Sequence, residues 1–135
     1  MKRAMLALNL VCLCFIWACG DDDDDGTEAD RLGVGATCKS NDDCLREGDG
    51  GVNLSCLKQF KGGYCGVEDC KSNEDCPESS VCVAHDDGNN YCFRSCAQKS
   101  ECNVNRGPDE EANCSSNVDY VEHDTSGKAC VPPSG

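Results

Sequence analysis

The heptapeptide CKSNDDC at residues 38–44 returns as CKSNEDC at residues 70–76, with one acidic residue exchanged for another. A third segment, CAQKSEC at residues 96–102, keeps the five-residue spacing between its two cysteines. Each segment opens a group of four cysteines, and the groups start about 26 to 32 residues apart. The sequence therefore contains one small cysteine module in three tandem copies.

Two further cysteines close each group. The numbers of residues between successive cysteines are 5, 11 and 8 in the first repeat, 5, 5 and 9 in the second, and 5, 11 and 15 in the third. We place the repeats at residues 37–67, 68–94 and 95–135. Their twelve cysteines are Cys38, Cys44, Cys56 and Cys65; Cys70, Cys76, Cys82 and Cys92; Cys96, Cys102, Cys114 and Cys130.

The composition of the repeats favours disulfide bonds. From Thr37 onward, Leu, Ile, Val and Phe supply only 13 of 99 residues, which is typical of chains that cannot build an ordinary core. Small exported domains compensate with disulfides, and 15 cysteines in 135 residues match their density. Zinc modules are the alternative, but they favour C-x2-C pairs with histidines. This chain has no C-x2-C pair and only two histidines, so we expect neither a metal nor a cofactor.

Geometry narrows the pairing within each repeat. Bridged Cα atoms lie within about 7 Å, whereas cysteines six positions apart across a helical turn lie roughly 9 Å apart. Pairing the second cysteine with the third would close a tight loop around Pro77 in repeat two. We therefore expect first with third and second with fourth: Cys38–Cys56, Cys44–Cys65, Cys70–Cys82, Cys76–Cys92, Cys96–Cys114 and Cys102–Cys130.

Local signals predict short turns and hairpins. Ser40 and Ser72 lie three residues before an aspartate, which resembles a capping box and predicts one-turn helices. The segment 87–90, Asp-Gly-Asn-Asn, is a hairpin signal between two apolar runs. The predicted fold class is small and disulfide-rich: three tandem four-cysteine modules with short β-hairpins and one-turn helices, and little regular structure. We expect packing between repeats to be weak, because large apolar residues are few.

The first 18 residues have the parts of an export signal: Lys2 and Arg3, an apolar run from Ala4 to Trp17, and a small residue at the end. The run is shorter than the about 20 residues that a transmembrane helix needs. The tetrapeptide Ile16-Trp17-Ala18-Cys19 resembles the lipobox of bacterial lipoproteins. That resemblance implies cleavage before Cys19 and a lipid on its sulfur, with Trp17 bulkier than the residue usual there.

The segment 19–36 is predicted to be a lipid-anchored acidic tether. The repulsion within the aspartate run 21–25 would extend it, and Gly26, Gly33 and Gly35 would keep it flexible. A calcium site in the aspartate run is the alternative, but nothing there sets a coordination geometry. Cys12 and Cys14 leave with the leader and Cys19 takes the lipid, so the remaining twelve cysteines can all pair.

Charge and motif content exclude several functions. The net charge of −13 makes nucleic acid an unsuitable partner, because binding it requires Lys and Arg against phosphates. His85 and His123 lie in polar contexts and are expected to be solvated loop residues. No G-x-S-x-G elbow or phosphate-binding glycine loop is present. We therefore predict no catalytic residues and no enzyme.

The stretch from Cys70 to Cys92, with C-x5-C, an acid before the second cysteine and then Pro77, resembles the Dickkopf N-terminal-like cysteine-rich repeats of bacterial lipoproteins. It is also similar to short stretches of whey-acidic-protein-like and EGF-like modules. The resemblance spans about Cys38 to Cys130 and implies an anchored lipoprotein of the cell envelope. Gly20 directly after Cys19 favours the outer membrane. We expect a binding or spacer module, with an envelope or extracellular protein as partner.

Two further interpretations stay open from the sequence. The aromatic residues are candidate contacts for a partner, or alternatively they fill small cores between the bridges: Phe60, Tyr64, Tyr91, Phe93 and Tyr120. The alternative function is a protease inhibitor, because rigid disulfide loops lower the entropy cost of binding. Its candidate loop is 57–61, Leu-Lys-Gln-Phe-Lys.

Overall fold

The computed structural model describes residues 29–30, 33–44 and 52–135. The leader, Cys19 and the aspartate run lie outside these residues, so the predictions made for them stay predictions. Within the described ranges, no helix combines the length and the apolar character needed to cross a bilayer.

Regular structure in the described residues is short and mostly extended. The strands are β1 Ser55–Cys56, β2 Cys65–Gly66, β3 Ser80–Ala84, β4 Asn90–Arg94, β5 Asn113–Ser115, β6 Asp119–Tyr120 and β7 Ala129–Val131. The helical elements are 3-10 turns at Asn41–Asp43, Asn73–Asp75 and Pro108–Glu110 and one α-helical turn, α1, at Lys99–Cys102. The predicted fold class, disulfide-rich with short hairpins and one-turn helices, is confirmed.

Six disulfide bonds join the twelve repeat cysteines. The bonded Cα atoms lie between 5.3 and 5.9 Å apart, well inside the limit for a bridge. In every repeat the first cysteine joins the third and the second joins the fourth, which is the order expected from the loop lengths. The pairs are Cys38–Cys56, Cys44–Cys65, Cys70–Cys82, Cys76–Cys92, Cys96–Cys114 and Cys102–Cys130.

The repeated heptapeptide builds the turn that precedes each hairpin in repeats one and two. In repeat two the Asp75 carboxylate accepts hydrogen bonds from the backbone N–H groups of Lys71, at 2.7 Å, and Ser72, at 3.1 Å. These bonds hold the pKa of Asp75 below its usual value. The side-chain oxygen of Asn73 accepts from the N–H of Cys82 at 2.9 Å. The Ser-Asn-x-Asp pattern therefore closes the turn and ties it to the third cysteine.

Repeat one repeats this arrangement atom for atom. Asp43 accepts from Lys39 at 2.7 Å and from Ser40 at 2.9 Å, and Asn41 accepts from the N–H of Cys56 at 3.0 Å. Because the same residues make the same bonds twice, the similarity of the two heptapeptides has a structural cause. The capping acids are recognisable in the sequence, whereas the role of the asparagines depends on their contact with the third cysteine and is not.

The strands form small antiparallel sheets, one of which joins two repeats. The hairpin β1–β2 belongs to repeat one, and the β5–β7 pair belongs to repeat three. The third sheet has the strand order β4-β3-β6, so β6, from the long loop of repeat three, pairs with β3 of repeat two. Val83 lies opposite Tyr120 in that pairing. The last loop of the chain is thus docked on the preceding repeat.

The repeats share a hydrophobic core, so the prediction of weak packing between them is wrong. The ring of Phe60, from repeat one, has its centroid 5.2 Å from that of Tyr91 and 5.6 Å from that of Phe93, both from repeat two. Val83 and Ala129 are buried in the same cluster. Large apolar residues are indeed few, but the aromatic ones from two repeats are concentrated in one place. An aromatic side chain buries about 150–250 Å², so a few of them are enough to form a core between the repeats.

The end of the predicted tether is docked on this core, which corrects the boundary at residue 36. Ala29 is fully buried and Val34 is 4% exposed. The N–H of Gly35 donates to the carbonyl of Cys65 at 2.9 Å, and Asp30 forms an ion pair with Arg94 at 2.5 Å. Gly35 has a φ of +91°, a conformation that glycine adopts readily. It therefore forms a turn here, whereas the sequence suggested a flexible position in a tether. Any tether therefore ends before Ala29.

A buried arginine ties repeat three to repeat one. Arg106 is 9% exposed, and its guanidinium donates only to backbone carbonyls. Nη1 donates to Gly35 at 2.9 Å and to Gly63 at 3.0 Å, Nη2 donates to Lys61 at 2.8 Å, and Nε donates to Glu110 at 2.6 Å. Three of these four carbonyls belong to repeat one or to the segment before it. Arg106 thus satisfies backbone groups that turns leave without partners.

We expect Arg106→Ala to lower the free energy of unfolding by about 2–4 kcal/mol, because several inward-facing carbonyls lose their donor together. Denaturant unfolding of the oxidised protein measures this loss. Lys99→Ala is the control, since Lys99 pairs with Glu111 on the surface and such pairs contribute about 0–1 kcal/mol. Equal losses for the two variants would contradict the role assigned to Arg106.

Candidate functional site

The aromatic residues considered as contacts are mostly core residues. Phe60, Tyr64, Tyr91 and Phe93 are at most 2% exposed, so the core-filling alternative is confirmed for these four, within one shared cluster rather than separate small ones. Burial raises the pKa of Tyr64 to about 12. Tyr120 is partly buried against the same cluster. None of the four fully buried rings offers a surface to a partner.

The loop considered for protease inhibition, 57–61, is a tight turn and not an extended segment. Leu57 and Phe60 are each 2% exposed, while Lys58 between them is exposed. The N–H of Phe60 donates back to the carbonyl of Leu57, and the N–H of Lys61 donates to Pro133 at 2.9 Å. The C-terminal segment therefore holds this loop against the core, and its two apolar side chains point inward.

His85 is not the solvated loop residue that the sequence predicted. Its side chain is 15% exposed, and its ring centroid lies 5.3 Å from that of Phe60 and 5.7 Å from that of Tyr91, both in edge-on contacts. Phe60 lies 25 residues before His85 in the sequence, so the residues next to His85 do not indicate this contact. His123 is exposed, as expected.

The turn that follows His85 is held by its own side chains. The carboxylate of Asp87 accepts from the N–H of Asn89 at 3.0 Å and from the hydroxyl of Tyr91 at 2.8 Å. The bond from Asn89 is the main reason that the pKa of Asp87 is lowered, while burial and then Asp87 raise the pKa of Tyr91. Gly88 has a φ of +89°, which the turn requires. This end of the β3–β4 hairpin is therefore well braced.

A cleft of about 150 Å³ lies beside the braced turn. We call it the hairpin cleft. Its apolar lining is Val83 and Phe93 from the hairpin with Val118 and Val131 from repeat three, and its polar lining, besides the backbone around Ala84, is His85, Asp86, Asn117 and Asp119. The cleft exists only because β6 is docked on β3, since each of the two repeats supplies part of the wall.

The carboxylates at the hairpin cleft have no partner. Asp86 and Asp119 are exposed, and neither side chain forms a hydrogen bond or ion pair with the described part of the chain. The ion pairs in the described residues are Arg94–Asp30 and Lys99–Glu111, and the carboxylate of Asp87 lies 3.4 Å from Nδ1 of His85. No lysine or arginine lines the cleft. Its charge is therefore negative and uncompensated.

The hairpin cleft lies at the opposite end of β3 from the point where the N-terminal segment is attached. At the near end, the carbonyl of Glu78 accepts from the N–H of Ala29, and Arg94, opposite Ser80, binds Asp30. At the far end, Ala84 lines the cleft. Five residues of strand separate the two ends by roughly 13 Å at about 3.3 Å per residue.

Three groups of cysteine sulfurs lie close enough to suggest a metal, but all of their members are in disulfides. Within each group the sulfurs lie within 4.8 Å of one another, for example those of Cys70, Cys76 and Cys92. A sulfur ligand must be a thiolate, whereas Cys76 is bonded to Cys92 and Cys70 is bonded to Cys82. The groups arise because two bridges of a repeat pack side by side.

Comparison of the chain with family models, with curated proteins and with solved structures finds no match. The resemblance to Dickkopf-like repeats therefore stays a prediction from cysteine spacing. The residues that form the hairpin cleft could not be recognised from the sequence. Val118 and Asp119 lie in the fifteen-residue loop of repeat three, where no periodicity or turn signal marks them.

Proposed function

We propose that the chain is a lipoprotein of the cell envelope, in the outer membrane, that presents a disulfide-braced binding module to another envelope or extracellular protein. It has no catalytic activity of its own in this proposal. The twelve paired cysteines support export, because disulfides persist in oxidising compartments. Cys19 is then the cysteine left for the lipid once the leader is removed.

The hairpin cleft is the observation that favours a binding module over a plain spacer. It brings the partly exposed Val118 and Val131 together with unpartnered carboxylates, and it lies at the end of β3 away from the docked N-terminal segment. A spacer needs only rigidity, which the bridges supply. Because the described N-terminal segment is docked on the core, the module would be held close to the membrane, with a tether of residues 20–28 at most.

The anchor is tested by Cys19→Ala. We expect this variant to lose incorporation of radiolabelled palmitate and to accumulate as a precursor, because the lipid is added to the thiol and cleavage follows it. Cys14→Ala is the matched control: it removes another cysteine of the leader and should leave labelling unchanged. Mature wild-type protein without an acyl mass in mass spectrometry would contradict the lipoprotein assignment.

Binding is tested with a photo-crosslinking amino acid in the anchored protein. Asn117→p-benzoylphenylalanine places the probe at the hairpin cleft. Val104→p-benzoylphenylalanine places it on Val104, which at 71% is the most exposed large apolar residue in the described part of the chain. We expect a discrete crosslinked product in intact envelopes from position 117 and none from position 104. Absence of a product at both positions would indicate a spacer.

A further inference from the structure

One of the six bridges is more exposed than the others. Ten of the twelve bridged cysteines are at most 8% exposed, whereas Cys96 and Cys114, which are bonded to each other, are both partly exposed. A disulfide opens when a thiolate attacks one of its sulfurs, so the rate of exchange depends on access. Buried bridges exchange only when the structure around them opens. The Cys96–Cys114 bridge is therefore the one that a thiol reaches in the folded protein.

The turn of repeat three does not hold its third cysteine as the other two turns do. In repeats one and two, the asparagine of the turn accepts from the N–H of the third cysteine, at 3.0 and 2.9 Å. The corresponding residue of repeat three is Lys99, and a lysine ammonium has no acceptor. The third cysteine, Cys114, lies instead in β5, opposite Cys130 of β7. The Cys96–Cys114 bridge therefore lacks the side-chain bond that reinforces its counterparts.

Cys96 lies in a surface depression where repeats two and three meet. The depression has a volume of about 340 Å³, and Cys114 is not part of its lining. Its one cation is Lys128, and its one carboxylate, that of Glu101, accepts from the N–H of Ala97 at 2.8 Å. The N–H of Cys96 donates to the carbonyl of Lys128 at 3.0 Å, so these two residues lie side by side. The positive charge of Lys128 favours the approach of a negative thiolate to Cys96.

We propose that Cys96–Cys114 is a site of thiol–disulfide exchange, at which a dithiol reductant opens this bridge and leaves the other five closed. A thiolate of the dithiol attacks Sγ of Cys96, which forms a mixed disulfide and releases Cys114 as a thiolate that takes up a proton. The second thiol of the reductant loses its proton, attacks the sulfur of the first and releases Cys96. The bridge gains two electrons and two protons, and the dithiol loses them as it becomes a disulfide. Neither cysteine lines the hairpin cleft, so this exchange is independent of the binding proposed there.

The second bridge of repeat three limits what the exchange changes. After reduction, Cys102–Cys130 still closes the repeat, and β5 still pairs with β7. The sulfurs of Cys96, Cys102 and Cys130 lie within 4.8 Å of one another, so a Cys96 thiolate reaches this bridge and exchanges with it. That step forms one S–S bond as it breaks another, and it needs no further reductant. We therefore expect the two free thiols to be Cys114 and one of these three.

The test treats the purified, fully oxidised protein with a limiting amount of dithiothreitol. Free thiols are alkylated with N-ethylmaleimide at successive times and located by peptide mapping in a mass spectrometer. We expect an intermediate with two labels, one of them on Cys114 and the other on Cys96, Cys102 or Cys130. It should form at least about ten times faster than any label in repeats one and two. A first intermediate without a label on Cys114, or the opening of all six bridges together, would overturn the proposal.

Two variants with the same change in net charge test the point of attack. Lys128→Gln should slow this first reduction about two- to fivefold, because the cation beside Cys96 is lost. Lys58→Gln changes an exposed lysine of repeat one and should leave the rate within about 1.5-fold of that of the wild type. Equal slowing in the two variants would show that attack does not take place in the depression beside Cys96, and the proposed path would be wrong.

Discussion

Phe60→Ala is expected to lower the free energy of unfolding by about 3–5 kcal/mol, the range for truncating a buried phenylalanine. The ring contacts Tyr64 in its own repeat and His85, Tyr91 and Phe93 in the next one. Its removal leaves a cavity that the bridged backbone cannot close, because disulfides hold the strands on both sides. Equilibrium unfolding in denaturant, with the six bridges intact, measures the change.

Lys58→Ala is the control for this experiment. Lys58 lies two residues away in the same turn and is exposed, so its truncation should change stability by no more than about 0.5 kcal/mol. A partner-contact role for Phe60 predicts the reverse: little loss of stability and a loss of binding. If Phe60→Ala is as stable as Lys58→Ala, the shared aromatic core is not the centre of the fold.

Removal of the Cys76–Cys92 bridge is expected to destabilise all three repeats together. The double variant Cys76→Ala with Cys92→Ala should lose about 2–5 kcal/mol in total. Cys92 lies in β4 between Tyr91 and Phe93, which pack against repeat one, and β4 pairs with β3, on which repeat three is docked. Loosening β4 therefore releases contacts in every repeat, and not in repeat two alone.

Hydrogen exchange read repeat by repeat decides this point, since cooperative units lose protection as one. The matched control removes the bridge Cys96–Cys114, whose cysteines are partly exposed and lie outside the shared cluster. In that variant, repeats one and two should keep their protection. Protection retained in repeats one and three after loss of Cys76–Cys92 would mean that the repeats fold independently.

The cysteine framework and the turns could be predicted from the sequence because both depend on short stretches of chain. The bridges follow from loop lengths, as for Cys70–Cys82, whose partners are 12 residues apart. The turn at 73–75 follows from a serine and an aspartate three positions apart: the Asp75 carboxylate accepts from the N–H of Ser72, and the N–H of Asp75 donates to the Ser72 carbonyl. The hairpin at 87–90 follows from residues that tolerate positive φ. No distant contact is needed for any of these features.

The tertiary structure alone decided how these pieces are joined. The guanidinium of Arg106 and the carbonyl of Gly35 are 71 residues apart in sequence, and no pattern marks either of them. His85 contacts the aromatic core only because Phe60 is brought against it, and Asp119 lines the same cleft as Asp86 only because β6 pairs with β3. Contacts of this kind depend on which surfaces exclude water together, a property of the whole packed chain. The candidate binding site belongs to this second class, since its wall is built from two repeats.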